Sequence, residues 1–193
     1  MIQDNGSTVS RETSARLTAF VELLTKWNAT VNLIAPSSLA QVWARHIDDS
    51  LRLAPFMAGM PRAADLGSGA GFPGLVLSIV TGTEYLLIES DHRKASFLRE
   101  AIRLTAAPAT IHIGRVEHFH AETFDVVTCR AFAPLSHLVS LSRHLLKPMG
   151  RYLLLKNDGG ATEIEDARRL HRFSCFHDHG GVLEISLPPE QHS

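Results

Sequence analysis

Cysteine is scarce in this chain: Cys129 and Cys175 are the only two among 193 residues. They form no ligand-like cluster, so neither a disulfide-stapled scaffold nor a thiolate metal site is indicated. Reduced thiols in a cytoplasmic protein are expected, with a single Cys129–Cys175 bridge as the alternative. Long apolar runs are also missing. No window approaches about 18 uninterrupted apolar residues, so no membrane span is expected. The start, Met1-Ile2-Gln3-Asp4-Asn5-Gly6, lacks a basic segment followed by an apolar one, and no secretion signal is read there. An excess of one charge is absent too, with 19 basic and 20 acidic residues giving a formal −1. That argues against a basic coat able to hold nucleic acid anywhere, while a local patch remains open, because distribution sets the field. Eleven histidines would make such a patch more positive in mildly acidic conditions. Repeats and low-complexity tracts are not found. What is present, 45% hydrophobic and 20% charged residues, describes one main globular domain with room for a small appendage.

The stretch Asp65-Leu66-Gly67-Ser68-Gly69-Ala70-Gly71-Phe72-Pro73-Gly74 organises the rest. Ala63-Ala64 before it reads as a strand end, and Leu75 to Val80 after it as a buried helix whose first turn suits Pro73. A strand, a glycine-rich turn and a helix bring bare backbone N–H groups against a nucleotide-like ligand. Two ligand classes fit. Gly69-x-Gly71-x-x-Gly74 is a dinucleotide fingerprint, with Glu89 the acid expected about 20 residues on. The same letters read Asp65-x-Gly67-x-Gly69-x-Gly71, the acid-led loop of S-adenosylmethionine (SAM) methyltransferases. Asp65 favours the second, since a carboxylate suits a cationic amino-acid moiety and repels a pyrophosphate.

In chain order, Leu17, Phe20, Val21 and Leu24 give an amphipathic helix over about Ser10 to Trp27. An amide-rich connection, Asn28 to Ile34, follows. Ser38 to Gln41 has capping-box spacing, so a second helix should begin there and run through His46, with Leu51, Leu53 and Phe56 on its apolar face. Residues 1–60 are read as an N-terminal helical extension on the substrate side, and 61–193 as the SAM-binding domain. Beyond the glycine loop, strands at Tyr85–Ile88, Thr110–Ile113, Phe124–Cys129 and Arg151–Leu155 alternate with helices at Arg93–Leu104 and Pro134–Leu146. Phe97, Leu98, Ala101, Ile102 and Leu104 should face inward. A break is expected at Lys147–Gly150. A helix at 161–171 and two strand-like runs, Arg172–Phe176 and Val182–Leu187, complete the chain. The fold class is therefore α/β: a Rossmann-like, mostly parallel sheet with helices on both faces, plus the helical extension.

In such a sheet, ligands lie beyond the carboxyl ends of the strands. Loops after Asp65, Glu89, Ile113, Cys129 and Leu155 should converge on one site. Glu89 is placed to accept from ribose hydroxyls, or else to cap the next helix. Val116-Glu117 would border an adenine, or simply start a solvated helix. Arg130 can fork onto a carboxylate, a phosphate or a guanine edge, or serve a structural ion pair. The loop Arg130-Ala131-Phe132-Ala133-Pro134 lacks the paired prolines with which amino-group methyltransferases grip an exocyclic amine. A ring nitrogen with a free lone pair, such as guanine N7, is the better acceptor and needs no general base.

Together these motifs resemble the GidB family, also called RsmG, the small-subunit ribosomal RNA guanine-N7 methyltransferases. The likeness runs over roughly residues 17–156. It rests on Lys26-Trp27-Asn28, Val31-Asn32-Leu33, Arg45-His46-Ile47-x-Asp49-Ser50, the glycine loop, Arg93-Lys94-x-x-Phe97-Leu98, Arg115-Val116-Glu117 and Arg130-Ala131-Phe132-Ala133. The resemblance implies a class I methyltransferase fold, SAM as cofactor and 16S rRNA of the small subunit as partner. The cofactor set on this reading is Asp65, Gly67, Gly69, Gly71, Phe72, Glu89, Val116, Glu117 and Arg130. The substrate-positioning set is Arg130, Asn28, Asn32 and His46. From the residues alone, the amides could equally be turn residues, and His46 a satisfied core histidine. Trp27 and Trp43 read as core, with base stacking the lesser alternative. No metal or membrane is implied, and a monomer is expected. Two departures stand out: Leu155-Lys156-Asn157-Asp158 where the family continues Leu-Lys-Gly, and a last strand carrying Glu184 in place of a basic stretch. Arg168, Arg169 and Arg172 are the conjectured substitutes. Competing readings are a non-catalytic SAM-responsive RNA-binding module and an NAD-dependent oxidoreductase.

Overall fold

The computed structural model describes residues 9–130, 133–155, 160–177 and 181–188. Seven strands form one sheet: β1 Arg62–Leu66, β2 Glu84–Glu89, β3 Ala109–Ile113, β4 Phe124–Cys129, β5 Leu146–Leu155, β6 Ser174–His177 and β7 Val182–Ser186. Their order is β3-β2-β1-β4-β5-β7-β6. The first five pair in parallel, and β7 runs antiparallel to both β5 and β6. The reversal of order at β1, flanked by β2 and β4, opens a crevice at the carboxyl edge directly above Asp65 and Leu66.

Period-two alternation sorts the strand residues between two cores. Ala63, Tyr85, Leu87, Val126 and Leu153 face one side, where they meet α1 Arg11–Asn28, α4 Gly74–Thr81 and α5 His92–Thr105. Ala64, Leu66, Leu86, Ile88, Val127 and Leu154 face the other, under α6 Leu135–Ser142 and α7 Gly160–Leu170. Helix α1 begins where Ser10 accepts the Thr13 N–H, and it buries Leu17, Phe20 and Leu24. Each such side chain contributes about 1.5–3 kcal/mol by leaving water. Arg16 fastens this helix to its neighbours, donating to the carbonyls of Thr105 (2.6 Å), Ala106 (3.1 Å) and Ile79 (3.4 Å) at the ends of α5 and α4. The cation meets the negative ends of both helix dipoles.

Four local expectations change. The capping box at Ser38 is not used: the short helix α2 is Pro36–Leu39, and the Ser38 hydroxyl donates back to the Ala35 carbonyl. Proline at the first helical position makes the earlier start favourable. The run to His46 is not one helix either, because Trp43–Ile47 widens into a π-helical turn before α3 Asp48–Leu51. Leu104 is 44% exposed on the outer side of α5, one residue short of the buried Thr105. The break at Lys147–Gly150 lies inside β5, which starts at Leu146 and takes a bulge there. Met149 adopts φ 71°, and the register jumps from Phe124↔Leu146 to Val126↔Arg151.

Candidate functional site

The glycine loop leaves β1 and returns into α4 with Gly67, Gly69 and Gly71 at φ 63°, 53° and 90°, the left-handed region in which a Cβ is strained. Pro73 lies just before α4, in the N-cap position, and Gly74 is the first helical residue. A Cβ on Gly74 would stand 2.4 Å from Asp65 Cβ and 2.9 Å from its Oδ2. Asp65 is thus pressed from beneath against the start of α4. It is fully buried, its Oδ1 accepting from Thr128 Oγ1 at 2.7 Å, while Oδ2 has no partner. Burial pushes this carboxyl up to about 7 despite those bonds. The acid expected to face a cation is therefore sealed below the loop, where it supports the turn.

Glu89 ends β2 and ties the loop together, Oε2 accepting from the Gly69 N–H and Oε1 from the Asp91 N–H, both at 2.8 Å. Next to it is a cavity of about 140 Å³ lined by Gly67, Ile88, Ser90, Gly114, Val116 and Glu117. Val116 is buried and Glu117 half-exposed in the 3-10 turn that follows β3. Arg115 and Leu141 complete the lining, so the pocket offers small backbone surfaces, an apolar wall and one carboxylate, Glu117, beside the Arg115 cation. A larger groove of about 450 Å³ opens at the opposite edge, between Ala54–Pro61 and Thr81–Thr83, but no ionisable side chain lines it.

Arg130, at the mouth of β4, reaches toward the N-terminal helices. Its Nη1 donates to His46 Nδ1 (2.7 Å), and its Nη2 donates to the Arg45 carbonyl (2.9 Å) and faces Asp49 Oδ2 at 3.4 Å. His46 lies parallel to the Phe72 ring of the glycine loop, with centroids 4.9 Å apart at 17°. Burial first, and then the Arg130 charge, hold the His46 imidazole below its ordinary value. His46, Arg130, Phe72 and the loop are therefore brought together as the motifs implied. Asn28 is drawn elsewhere: its Oδ1 accepts from Leu33 N–H and Ile34 N–H, both at 3.0 Å, closing the turn after α1. Asn32 is exposed beside that turn. Trp27 packs on Phe97 with rings 5.9 Å apart, and Trp43 is half-buried against the same core.

One of the two departures acquires a place. Glu184 of β7 pairs with Arg151 at 3.0 Å and so adds no free negative charge. Arg168 donates to Cys175 Sγ and Arg169 pairs with Glu165 and Asp166 in the last turns of α7, with Arg172 just beyond its end. Ala131-Phe132 and Lys156-Asn157-Asp158 lie outside the described residues. Three contributors lie outside the expected site set: Ser38, expected as a cap, Asp49, part of the quoted Arg45-to-Ser50 motif, and Thr128. Thr128 had a signal, being a polar residue between the apolar Val127 and Cys129 of β4, in register with Asp65. Among the described residues, no group of three His, Cys, Asp or Glu could hold a metal ion, and no helix is long and apolar enough to cross a membrane.

The antiparallel β7 placed between β5 and β6 departs from the 3-2-1-4-5-6 order of dinucleotide folds, which removes the oxidoreductase reading. Ribosomal protein L11 methylase from Lactobacillus delbrueckii subsp. bulgaricus shares this fold, with TM-score 0.60 over 75% of this chain and 79% of that one at 14% identity. Ribosomal RNA small subunit methyltransferase G of Gluconobacter oxydans is 47% identical over 161 residues, spanning 83% of each chain. Its counterpart from Rhodospirillum centenum is 48% identical over 181 residues, covering 91% of this chain and 84% of that protein. The family described as GidB, rRNA small subunit methyltransferase G, matches residues 13–181, and this chain belongs to it.

Proposed function

We propose that this methyltransferase transfers the methyl group of SAM to N7 of a guanine in 16S rRNA. The observation that carries the reading is the junction at β4. There Arg130 and His46 close the acceptor side against Phe72, while Glu89 and the bare loop shape the cofactor side. When bound, SAM supplies an electrophilic methyl on a positively charged sulfur. Gly67, Gly69 and Gly71 admit it by close backbone approach, with Glu89, Val116 and Glu117 at its ribose and base. Asp65 acts from below by fixing the loop against α4. Residues 1–60 form the substrate side, with His46, Asn32 and the Asn28 turn shaping the entry, and 61–193 the cofactor side. Guanine N7 offers a lone pair without losing a proton, so alignment of nucleophile, methyl carbon and sulfur is the main demand on the protein. The enzyme acts as a monomer in the cytoplasm.

The deciding experiment maps N7-methylguanosine in 16S rRNA by borohydride–aniline strand scission, in cells with and without this protein. A scission site that disappears with the gene supports the reading. An unchanged pattern refutes it. A chain that binds SAM and RNA, yet incorporates no methyl into purified small subunits, would be the non-catalytic module instead.

A further inference from the structure

Three hydrogen bonds leave His46 a single protonation pattern. The Ser38 hydroxyl gives its one proton to the Ala35 carbonyl at 2.8 Å, so toward His46 Nε2, at 3.2 Å, its oxygen accepts. Arg130 Nη1 can only donate, so at 2.7 Å His46 Nδ1 carries a lone pair. Both ends demand the neutral Nε2–H imidazole. Asp49 secures the other member of the pair. Its Oδ1 holds Arg52 at 3.1 Å while its Oδ2 faces Arg130 Nη2 at 3.4 Å. Neither Ser38 nor Asp49 has a place in the cofactor set or the acceptor set.

We propose that Ser38 and Asp49 are positioning residues for methyl transfer: Ser38 locks the His46 tautomer and Asp49 anchors the Arg130 guanidinium. The mouth beside Phe72 then presents an uncharged ring. This rests on the guanine-N7 reading, and the chemistry explains the arrangement. As the N7–methyl bond forms and the sulfur–methyl bond breaks, the electron pair stays on sulfur and positive charge passes to the guanine, with no proton moved. A second cation at His46 would oppose that charge, whereas the Asp49 carboxylate favours it. The groups facing His46 are Arg130 from the end of β4, Ser38 from α2, Phe72 from the loop, and Arg45 and Asp49 from its own segment. Of these, Asp49 is the one that raises its proton affinity.

The test uses the full chain with small-subunit RNA and labelled SAM, comparing Ser38→Ala, Ser38→Thr and Asp49→Asn with wild type. Misplacement of the acceptor side should lower kcat on the order of 10- to 100-fold in Ser38→Ala and Asp49→Asn, with SAM affinity held within about twofold. Ser38→Thr, which keeps the hydroxyl, should restore kcat. The acid limb of the rate profile should move to lower pH in Asp49→Asn, because the carboxylate that raises His46 is gone. Wild-type kcat and an unshifted acid limb in both variants would overturn the proposal. Equal losses of kcat and SAM affinity without a pH shift would also overturn it, showing a purely structural role. Wild-type protein that makes no N7-methylguanosine would instead defeat the underlying reading.

Discussion

Gly74→Ala should damage the protein by a route that can be traced atom by atom. The new Cβ would lie 2.4 Å from Asp65 Cβ, 2.6 Å from Cγ and 2.9 Å from Oδ2. No rotamer of Asp65 relieves the shortest of these, since a Cβ moves only with its backbone, and Asp65 is sealed within β1. The start of α4 must therefore lift, carrying the glycine loop with it. Overpacking of this kind costs about 1–3 kcal/mol, and a backbone-fixed clash belongs at the upper end. For a chain of this length, about 3 kcal/mol lowers Tm by roughly 6–12 °C. If about 1.4 kcal/mol of the distortion reaches the loop, SAM binds about tenfold more weakly. Calorimetry gives the affinity and a thermal melt the stability. The geometry also dictates the rescue. Asp65→Ala keeps the Cβ and cannot help, whereas Asp65→Gly removes it. Gly74→Ala added to Asp65→Gly should therefore cost little more, while added to Asp65→Ala it should cost nearly its full amount. Equal penalties in the two backgrounds, or an unchanged melt for the single variant, would refute the reasoning.

Other outcomes follow from the same site. The Asp65 carboxyl is raised from 3.8 to about 7 by burial, so the stability it contributes is fully present below its unfolded value and is lost as pH rises through about 7. Urea titrations should show wild type weakening between about pH 4 and 7, with Asp65→Asn flatter over that window. Glu89→Gln leaves one acceptor oxygen for two backbone N–H groups. The unsatisfied group costs about 1–3 kcal/mol, and calorimetry should find SAM affinity lowered by about tenfold or more. Lys26 at the end of α1, Lys94 in the first turn of α5 and Arg45 of the π-helical turn lie near the carboxyl edge and outside the ion pairs of the described residues. If each meets one RNA phosphate, replacing all three with Ala should reduce the slope of log affinity against log salt by about 2, at about 0.7 per contact. An unchanged slope in filter binding would place the RNA elsewhere.

The glycine loop, β2, β4 and α5 were legible because their signals are local: a glycine spacing, apolar runs, a 3.6-residue stripe. The end of α6 was not, since Leu146 to Gly150 reads as a break until β4 supplies a partner for the bulged strand. Ser38 has a good capping sequence, yet Pro36 two residues earlier sets the helix start and frees the hydroxyl for another task. Arg130 stands out as a binding candidate by its position at a strand mouth. Its partners, however, are 81 to 85 residues away in the chain, and no spacing rule announces them. Asp65 shows the limit most plainly. Its place at the end of β1 is legible in the sequence, but the direction of its carboxylate depends on which face of the sheet α4 covers.

The Arg16 clamp has a consequence for how the chain is made. The first helix leaves the ribosome early, but two of the carbonyls it must grasp lie 89 and 90 residues further on. Until those arrive, Leu17, Phe20 and Leu24 have the glycine loop and α4 to pack on but lack the cover that α5 completes, Phe97 included. The nascent segment must wait, and closing so wide an interval is slow compared with winding a helix. Synthesis arrested shortly before Thr105 would leave a fragment with its core half exposed, a natural client for a chaperone.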